Sequence, residues 1–273
     1  MNDHKKIPCT VYIMTLNSGP NFIRTLESVK QFDEILVCDG NSTDGTQDVA
    51  RSYGARIISQ TDSSELNRPM TDFPAVHNKC RTEAKYDWIF QLDHDEVMPP
   101  ETAEEIRSIV SRPIEYYIYK VPNRIFYKGR LIKYATVYPG YEMRFFNRTC
   151  GAYYVRHPHS RLTFDEKKYP VGYLKNPWYA YDEGMESTRY RYLQMEIKDA
   201  RKQSLQQFFR WTIFNKIFKI IKLAVKITLL YSRHGTAHTL PFNVEFDRIR
   251  YAIALMLGIT FDRLKRALGQ HND

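Results

Sequence analysis

The chain has 273 residues, 43% hydrophobic and 26% charged, the balance of a globular protein large enough for one α/β domain with a helical appendix. That balance excludes a disordered or fibrous chain. The net charge of +9 calls for an anionic partner, but in the last third lysines punctuate a strongly apolar stretch, which disfavours nucleic acid as that partner.

Residues 1–6 carry no apolar core of a signal peptide. Cys9, Cys38, Cys80 and Cys150 form no CxxC pair and no zinc-ligand spacing. Cys9 and Cys38 lie inside apolar runs, so buried thiols and a reducing, cytoplasmic setting are expected. Cys9 to Met14 reads as a buried strand, followed by a turn at Asn17-Ser18-Gly19-Pro20 and a helix from Asn21 to Lys30. Glu34 to Cys38 is a second strand that stops at Asp39, and the polar loop from Asp39 to Thr46 opens a helix closed near Gly54. Arg56 to Ser59 makes a third strand. A helix over Ala75 to Ala84 leads to a fourth strand, Trp88 to Leu92.

This alternation predicts an α/β fold with an open, mostly parallel sheet and helices on both faces. From Tyr116 to Tyr181 the pattern turns to shorter, Tyr-rich strands, which suit either sheet packing or stacking on sugar rings. Beyond Gly184 the chain reads as helical. The expected organisation is therefore a catalytic domain over residues 1–183, split at about residue 100 into a nucleotide half and an acceptor half, and a helical extension over 184–273.

In open α/β sheets ligands bind beyond the carboxyl ends of the strands. The loops after Met14, at Asp39 and at Asp93 all end there, and all carry Asp, Asn or Thr. Asp93 and Asp95, at i and i+2 past an apolar strand, project to one side of an extended chain. Two hard oxygen donors there suit Mg²⁺ or Mn²⁺, with a bound diphosphate supplying further ligands. The carboxylate of Asp39 can accept hydrogen bonds from a base edge or ribose, while Asp44 or Ser42 suits the free N–H groups at a helix start.

Thr15-Leu16-Asn17, the run EILVCDGNSTDGT from Glu34 to Thr46, His77-Asn78, and DWIFQLDHDE from Asp87 to Glu96 together resemble the GT-A glycosyltransferases of family 2. Within that family the segment Tyr138 to Phe146 and the stretch Val155 to His159 are similar to the lipopolysaccharide core glucosyltransferases. The resemblance implies a GT-A fold and inverting, nucleotide-sugar-dependent transfer. Thr15 and Asn17 would border the base pocket, Asp39 would hold uracil or ribose, and Asn41, Asn78 and Asp93 would complete the nucleotide-sugar site. Asp95, with Asp93, would bind Mn²⁺ or Mg²⁺, and a UDP-sugar is the favoured donor.

Two positions depart from the pattern. Gly40 stands where many members carry a second Asp, and Pro158 stands where these relatives carry a Glu after His157. The general base is then sought among His157, His159 and Glu142. The loss of that Glu also leaves an inactive, glycan-binding relative as the alternative.

Residues 205–231 would form a helix with Asn215, Lys219, Lys222 and Lys226 on one stripe, Lys216 at its flank and aromatic or branched residues over the rest. The lysines make a membrane-spanning helix costly. A helix lying on an anionic membrane fits, as does packing against the catalytic domain with solvated lysines. The last segment, from Leu240 to Arg266, contains another apolar stretch (Tyr251 to Ile259) followed by a basic helix end, and would dock on that helix or on a second subunit, so a homo-oligomer stays open. The expected function is transfer of a sugar to a hydroxyl of a membrane-associated glycan, at the inner face of the membrane.

Overall fold

A computed structural model of the chain describes residues 5–138, 140–155, 160–182 and 193–269. The chain divides into two compact units, Met1–Ile125 with Pro139–Tyr181, and Phe126–Tyr138 with Asp182–Asp273.

The first unit begins with β1 (Ile7–Thr15), α1 (Asn21–Val29), β2 (Phe32–Asp39), α2 (Thr46–Ser52), β3 (Arg56–Ser59), α3 (Phe73–Glu83) and β4 (Trp88–Asp93). Then come β5 (Glu96–Val97), α4 (Pro100–Val110) and β6 (Ile118–Tyr127), which carries the chain into the second unit and its short β7 (Arg130–Leu131). Back in the first unit lie β8 (Tyr141–Asn147), β9 (Tyr153–Val155), β10 (Arg161–Thr163), β11 (Val171–Tyr173) and β12 (Trp178–Asp182). The large sheet runs β3-β2-β1-β4-β8-β6-β12-β5, with β11 and β7 paired to β6.

Its first four strands are parallel, and β8 then joins β4 antiparallel, so the sheet is mixed. The parallel half reads as continuous apolar runs because both of its faces are covered. Alternation along β1 shows this directly. Ile7, Cys9, Val11 and Ile13 enter the core shared with α1 and α4, whereas Tyr12 enters the opposite core with Val76 and Cys80 of α3. All four cysteines are free and buried in this unit. Helix α4, which the sequence reading left out, starts with Pro100 in its first turn and buries Ala103, Ile106 and Ile109.

The second unit contains α5 (Leu193–Ala200), a single α-turn (Leu205–Gln207), a π-helical stretch (Phe208–Phe214), α6 (Asn215–His234) and α7 (Phe242–Ala267). The helix expected over 205–231 is present, but it opens with a capping box between Ser204 and Gln207 and is wound as π-helix where Phe208 and Thr212 turn inward. Gly235, at φ +59°, ends α6. Glu245 of α7 is fully buried, and its carboxylate accepts bonds from the Thr136 N–H (2.8 Å) and the Thr136 hydroxyl. Among the described residues no helix is long and apolar enough to cross a membrane.

Candidate active site

Parallel strands β1, β2 and β4 end at adjacent points, bringing Thr15, Asp39 and Asp93 to one edge. Asn17 (φ +48°) and Asn41 (φ +61°) adopt the left-handed conformation just past β1 and β2. Asn tolerates that region better than most residues, and there each chain can reverse tightly. The two loops then bond to each other. The Asn17 N–H donates to Ser42 Oγ (2.8 Å), and the Thr43 N–H donates to Asn17 Oδ1 (3.1 Å). Asp44 accepts from the Thr46 N–H (3.0 Å) at the start of α2 and from the Gly19 N–H (3.1 Å), so it holds the helix start and the neighbouring loop together.

Asp39 is 1% exposed and accepts bonds from four donors. The Thr15 hydroxyl (2.8 Å) and the Ser42 hydroxyl (2.6 Å) reach Oδ2, while the Ser42 N–H (2.8 Å) and Gln47 Nε2 (2.7 Å) reach Oδ1. The carboxylate thus organises the site floor, with its lone pairs already engaged by protein donors. Ser42 and Gln47, which it holds, line a polar cleft of ≈ 510 Å³ together with Asn41, Thr61, Asp62 and Ser63. The Asn41 amide donates to the Ser63 and Glu65 carbonyls (2.9 and 2.8 Å), fixing the cleft's far wall. Gly40 is also explained: a Cβ there would lie 2.8 Å from the Arg68 carbonyl oxygen and 3.1 Å from Leu16 Cδ1.

The acidic pair follows β4. Asp93 Oδ1 accepts from Gln91 Nε2 (2.9 Å), and Asp93 Oδ2 lies 3.6 Å from Arg144 Nη2. Asp95 is exposed. Although its surface is open, protein crowding raises its carboxyl above the ordinary value, His94 opposes this, and the Asp93 charge adds to it. Among the described residues no three His, Cys, Asp or Glu side chains gather to hold a metal unaided. The available oxygens of Asp93 and Asp95 nevertheless suit a hard cation that takes its other ligands from a diphosphate.

Sequence reasoning missed the hub of this site, Arg144 on β8. Its guanidinium bonds Glu96 twice (2.6 and 3.2 Å) and Glu142 once (2.8 Å), and sits 4.1 Å from the Trp178 ring centroid. Burial works against the Arg144 charge, but Glu96, Asp93 and Glu142 outweigh it and its pKa lies above the ordinary range. Burial pushes Glu96 well up in turn, against the pull of Arg144. Glu142 and Arg144 are i and i+2 on one strand face, the one local signal that could have linked them. Through Arg144 the structure links Glu142 to Asp93.

His77 is buried under the same edge. Its Nδ1 meets the Tyr12 hydroxyl at 2.8 Å, and its ring stacks on Tyr154 at 4.4 Å. Burial lowers its pKa to about 4, with Asp93 opposing and Arg144 assisting. The Asn78 amide is engaged on both sides by the Tyr154 backbone, at 2.9 Å each, and so ties α3 to β9. His157 and His159 lie outside the described residues.

Comparison with known proteins gives a consistent picture. The model of the family described as Glycosyl transferase family 2 matches residues 10–167. An uncharacterised glycosyltransferase of Rickettsia prowazekii is 29% identical over 128 residues, covering 46% of this chain and 40% of that protein. A lipopolysaccharide core biosynthesis glycosyltransferase of Rhizobium meliloti is 23% identical over 124 residues, 45% of each chain. The chain thus spans less than half the length of these curated relatives. A mannosyltransferase of Pyrobaculum calidifontis, solved in complex with GDP-Man and Mn²⁺, superposes over 94% of this chain and 88% of its own, with a TM-score of 0.54 and 14% identity. That likeness establishes the GT-A fold.

Proposed function

Because the chain belongs to glycosyl transferase family 2, we propose that this glycosyltransferase moves a sugar, with inversion, from a nucleotide-sugar to a hydroxyl of a membrane-associated glycan. The observation that carries the reading is the Arg144 hub, which joins Asp93 and Glu96 after β4 to Glu142 on β8. A donor diphosphate and an acceptor base are needed at one place, and these groups meet both needs.

The nucleoside of the donor would occupy the cleft lined by Asn41, Ser42 and Gln47, with Asp39 holding the latter two and Thr15 in position and Asn17 bracing the loop. Asp95 and Asp93 would hold Mg²⁺ or Mn²⁺. That ion, when bound, neutralises charge on the departing diphosphate. The acceptor oxygen attacks the anomeric carbon as the bond to the phosphate oxygen breaks, and its proton passes to a base. Glu142 is the base candidate within the described residues, with His157 and His159 the others. Asn78 is a supporting residue in this scheme.

A UDP-sugar is the favoured donor. The likeness to the Rhizobium meliloti protein, although distant, supports a lipopolysaccharide-like acceptor. The apolar, lysine-bearing segment 205–231 supports an acceptor presented at the inner face of a membrane.

The test is calorimetric titration with UDP, GDP and dTDP, each with and without Mn²⁺. Metal-dependent binding of one nucleotide, lost in Asp95→Ala with the thermal transition unchanged, is the expected result. A folded wild-type protein that binds none of them would overturn the reading.

A further inference from the structure

Charge and exposure in the second unit point to a binding surface broader than the single segment named above. Helix α6 buries Leu223 and Ile227 on one side. On a wheel of about 100° per residue, Phe214, Phe218, Ile221, Val225 and Leu229 centre about 180° from those two residues, and about 155° from the contact line once Ile220 and Tyr231, packed in the same cluster, are included. All five are exposed, Phe218 at 65%. Lys219, Lys222 and Lys226 run along one flank of this row.

Helix α7 repeats the arrangement. It buries Val244, Ile249, Leu255 and Ile259 yet exposes Phe246, Ile253, Leu257, Phe261 and Leu264 in a second row, with Leu257 at 59% and Phe261 at 61%. The helices pair antiparallel, since Tyr231 meets Phe242 near the turn, Leu223 and Ile227 meet Ile249, and Phe208 meets Leu255 and Ile259. Seen from each helix's own N-terminus, the exposed row lies clockwise of the contact with its partner. Antiparallel pairing therefore turns both rows to one side of the hairpin.

The charge distribution selects the occupant. From Leu205 to Pro241 there is no Asp or Glu, against Arg210, Lys216, Lys219, Lys222, Lys226 and Arg233. The acids of α7 are directed to arginines of the same unit: Asp247 to Arg250 (3.0 Å), Asp262 to Arg201 (2.8 Å), and Glu245 to Arg248 (3.9 Å). None of Lys219, Lys222 or Lys226 has a carboxylate partner among the described residues. A second copy docked on this face would bring unpaired lysines together, whereas anionic headgroups would neutralise them.

We infer that α6 and α7 form a two-helix face that lies in the surface of an anionic bilayer, with both apolar rows in the headgroup–acyl boundary and the lysines at the phosphates. The inference deepens the reading of a membrane-borne acceptor and rests on it for its biological meaning, but its physics belongs to the second unit alone.

The test is flotation of the full-length protein with phosphatidylcholine vesicles, with and without 30 mol% phosphatidylglycerol (about one lipid in three, enough to set a negative surface potential). Binding should require the anionic lipid and weaken with salt. Lys219→Gln, Lys222→Gln and Lys226→Gln together should lower partitioning on the order of 100-fold. Leu257→Ser with Phe261→Ser, both exposed, should lower it by about tenfold or more while leaving the thermal transition in place.

Unchanged binding in the α7 double variant would overturn the two-helix face. So would failure of the folded wild type to bind vesicles, or a sedimenting dimer that the same α7 changes dissociate. Metal-dependent nucleotide binding, measured in parallel without lipid, separates failure of this inference from failure of the transferase reading.

Discussion

Asp39 and Asp95 are both acidic residues at strand ends, but their surroundings assign them different work. Asp39 is sealed under four donors, so Asp39→Asn would turn an acceptor into a donor facing donors. We expect a loss of about 1–3 kcal/mol in urea unfolding, together with weaker nucleotide binding. Arg144→Met would leave Glu96 buried without its partner. The expected cost is about 3–5 kcal/mol, read from the denaturant midpoint, and unchanged stability would show that the hub is not an ionic network.

His77 sets a pH dependence. Its folded pKa of about 4 lies below the ordinary 6.5, so between those values the unfolded chain takes up a proton that the folded chain refuses. Stability should therefore fall as pH drops from 6.5 towards 4, by up to roughly 3 kcal/mol, and level off below that. His77→Gln should flatten this part of the profile. The strand-end positions of Asp39 and Asp93 were legible because each closes an apolar run, with Asp95 two residues further on. Arg144 was not, because its partner Glu96 lies 48 residues away and nothing local marks the pair.

At the scale of elements, the loops after β1 and β2 act as one piece, and the 60–68 segment closes over them. Gly40 bonds to both sides: its N–H donates to the Thr15 carbonyl and its carbonyl accepts from the Arg68 N–H, each at 2.9 Å. Gly40→Ala would push a methyl group against the Arg68 carbonyl and Leu16, so we expect a loss of about 1–3 kcal/mol and a weaker nucleoside cleft. Wild-type stability and nucleotide affinity in this variant would show that the 60–68 segment yields freely. The departure from the family pattern at position 40 thus has a local packing cause.

The parallel half of the sheet was readable because strands covered on both faces are apolar throughout, and Arg56–Ser59 was placed to the residue. Helix α4 escaped the sequence reading; it follows Pro99 and has Pro100 in its first turn, where proline is well tolerated. The apolar face of α7 was visible as composition, but which of its residues face inward is decided by neighbours such as Leu223 and Phe208. Periodicity alone does not supply those neighbours.

On the scale of the whole molecule, the chain interleaves its units: residues 126–138 leave the first, join the C-terminal helices, and the chain then returns to finish the sheet. The split expected near residue 183 follows chain order, whereas the contacts group that earlier segment with the helices. One feature of the first unit has a practical use. All four thiols are sealed within it, and the second unit has none. Trp88 and Trp178 are buried in the first unit, while Trp211 is 51% exposed in the second. A thiol-reactive dye therefore acts as a clock for the sheet alone, because each cysteine is labelled only when that unit opens. A lone Trp211, with Trp88 and Trp178 changed to Phe, would report on the helices by its emission. Coincident labelling and emission changes along a urea series would mean that the interleaved units melt as one, and separated midpoints that the helices can open over an intact sheet.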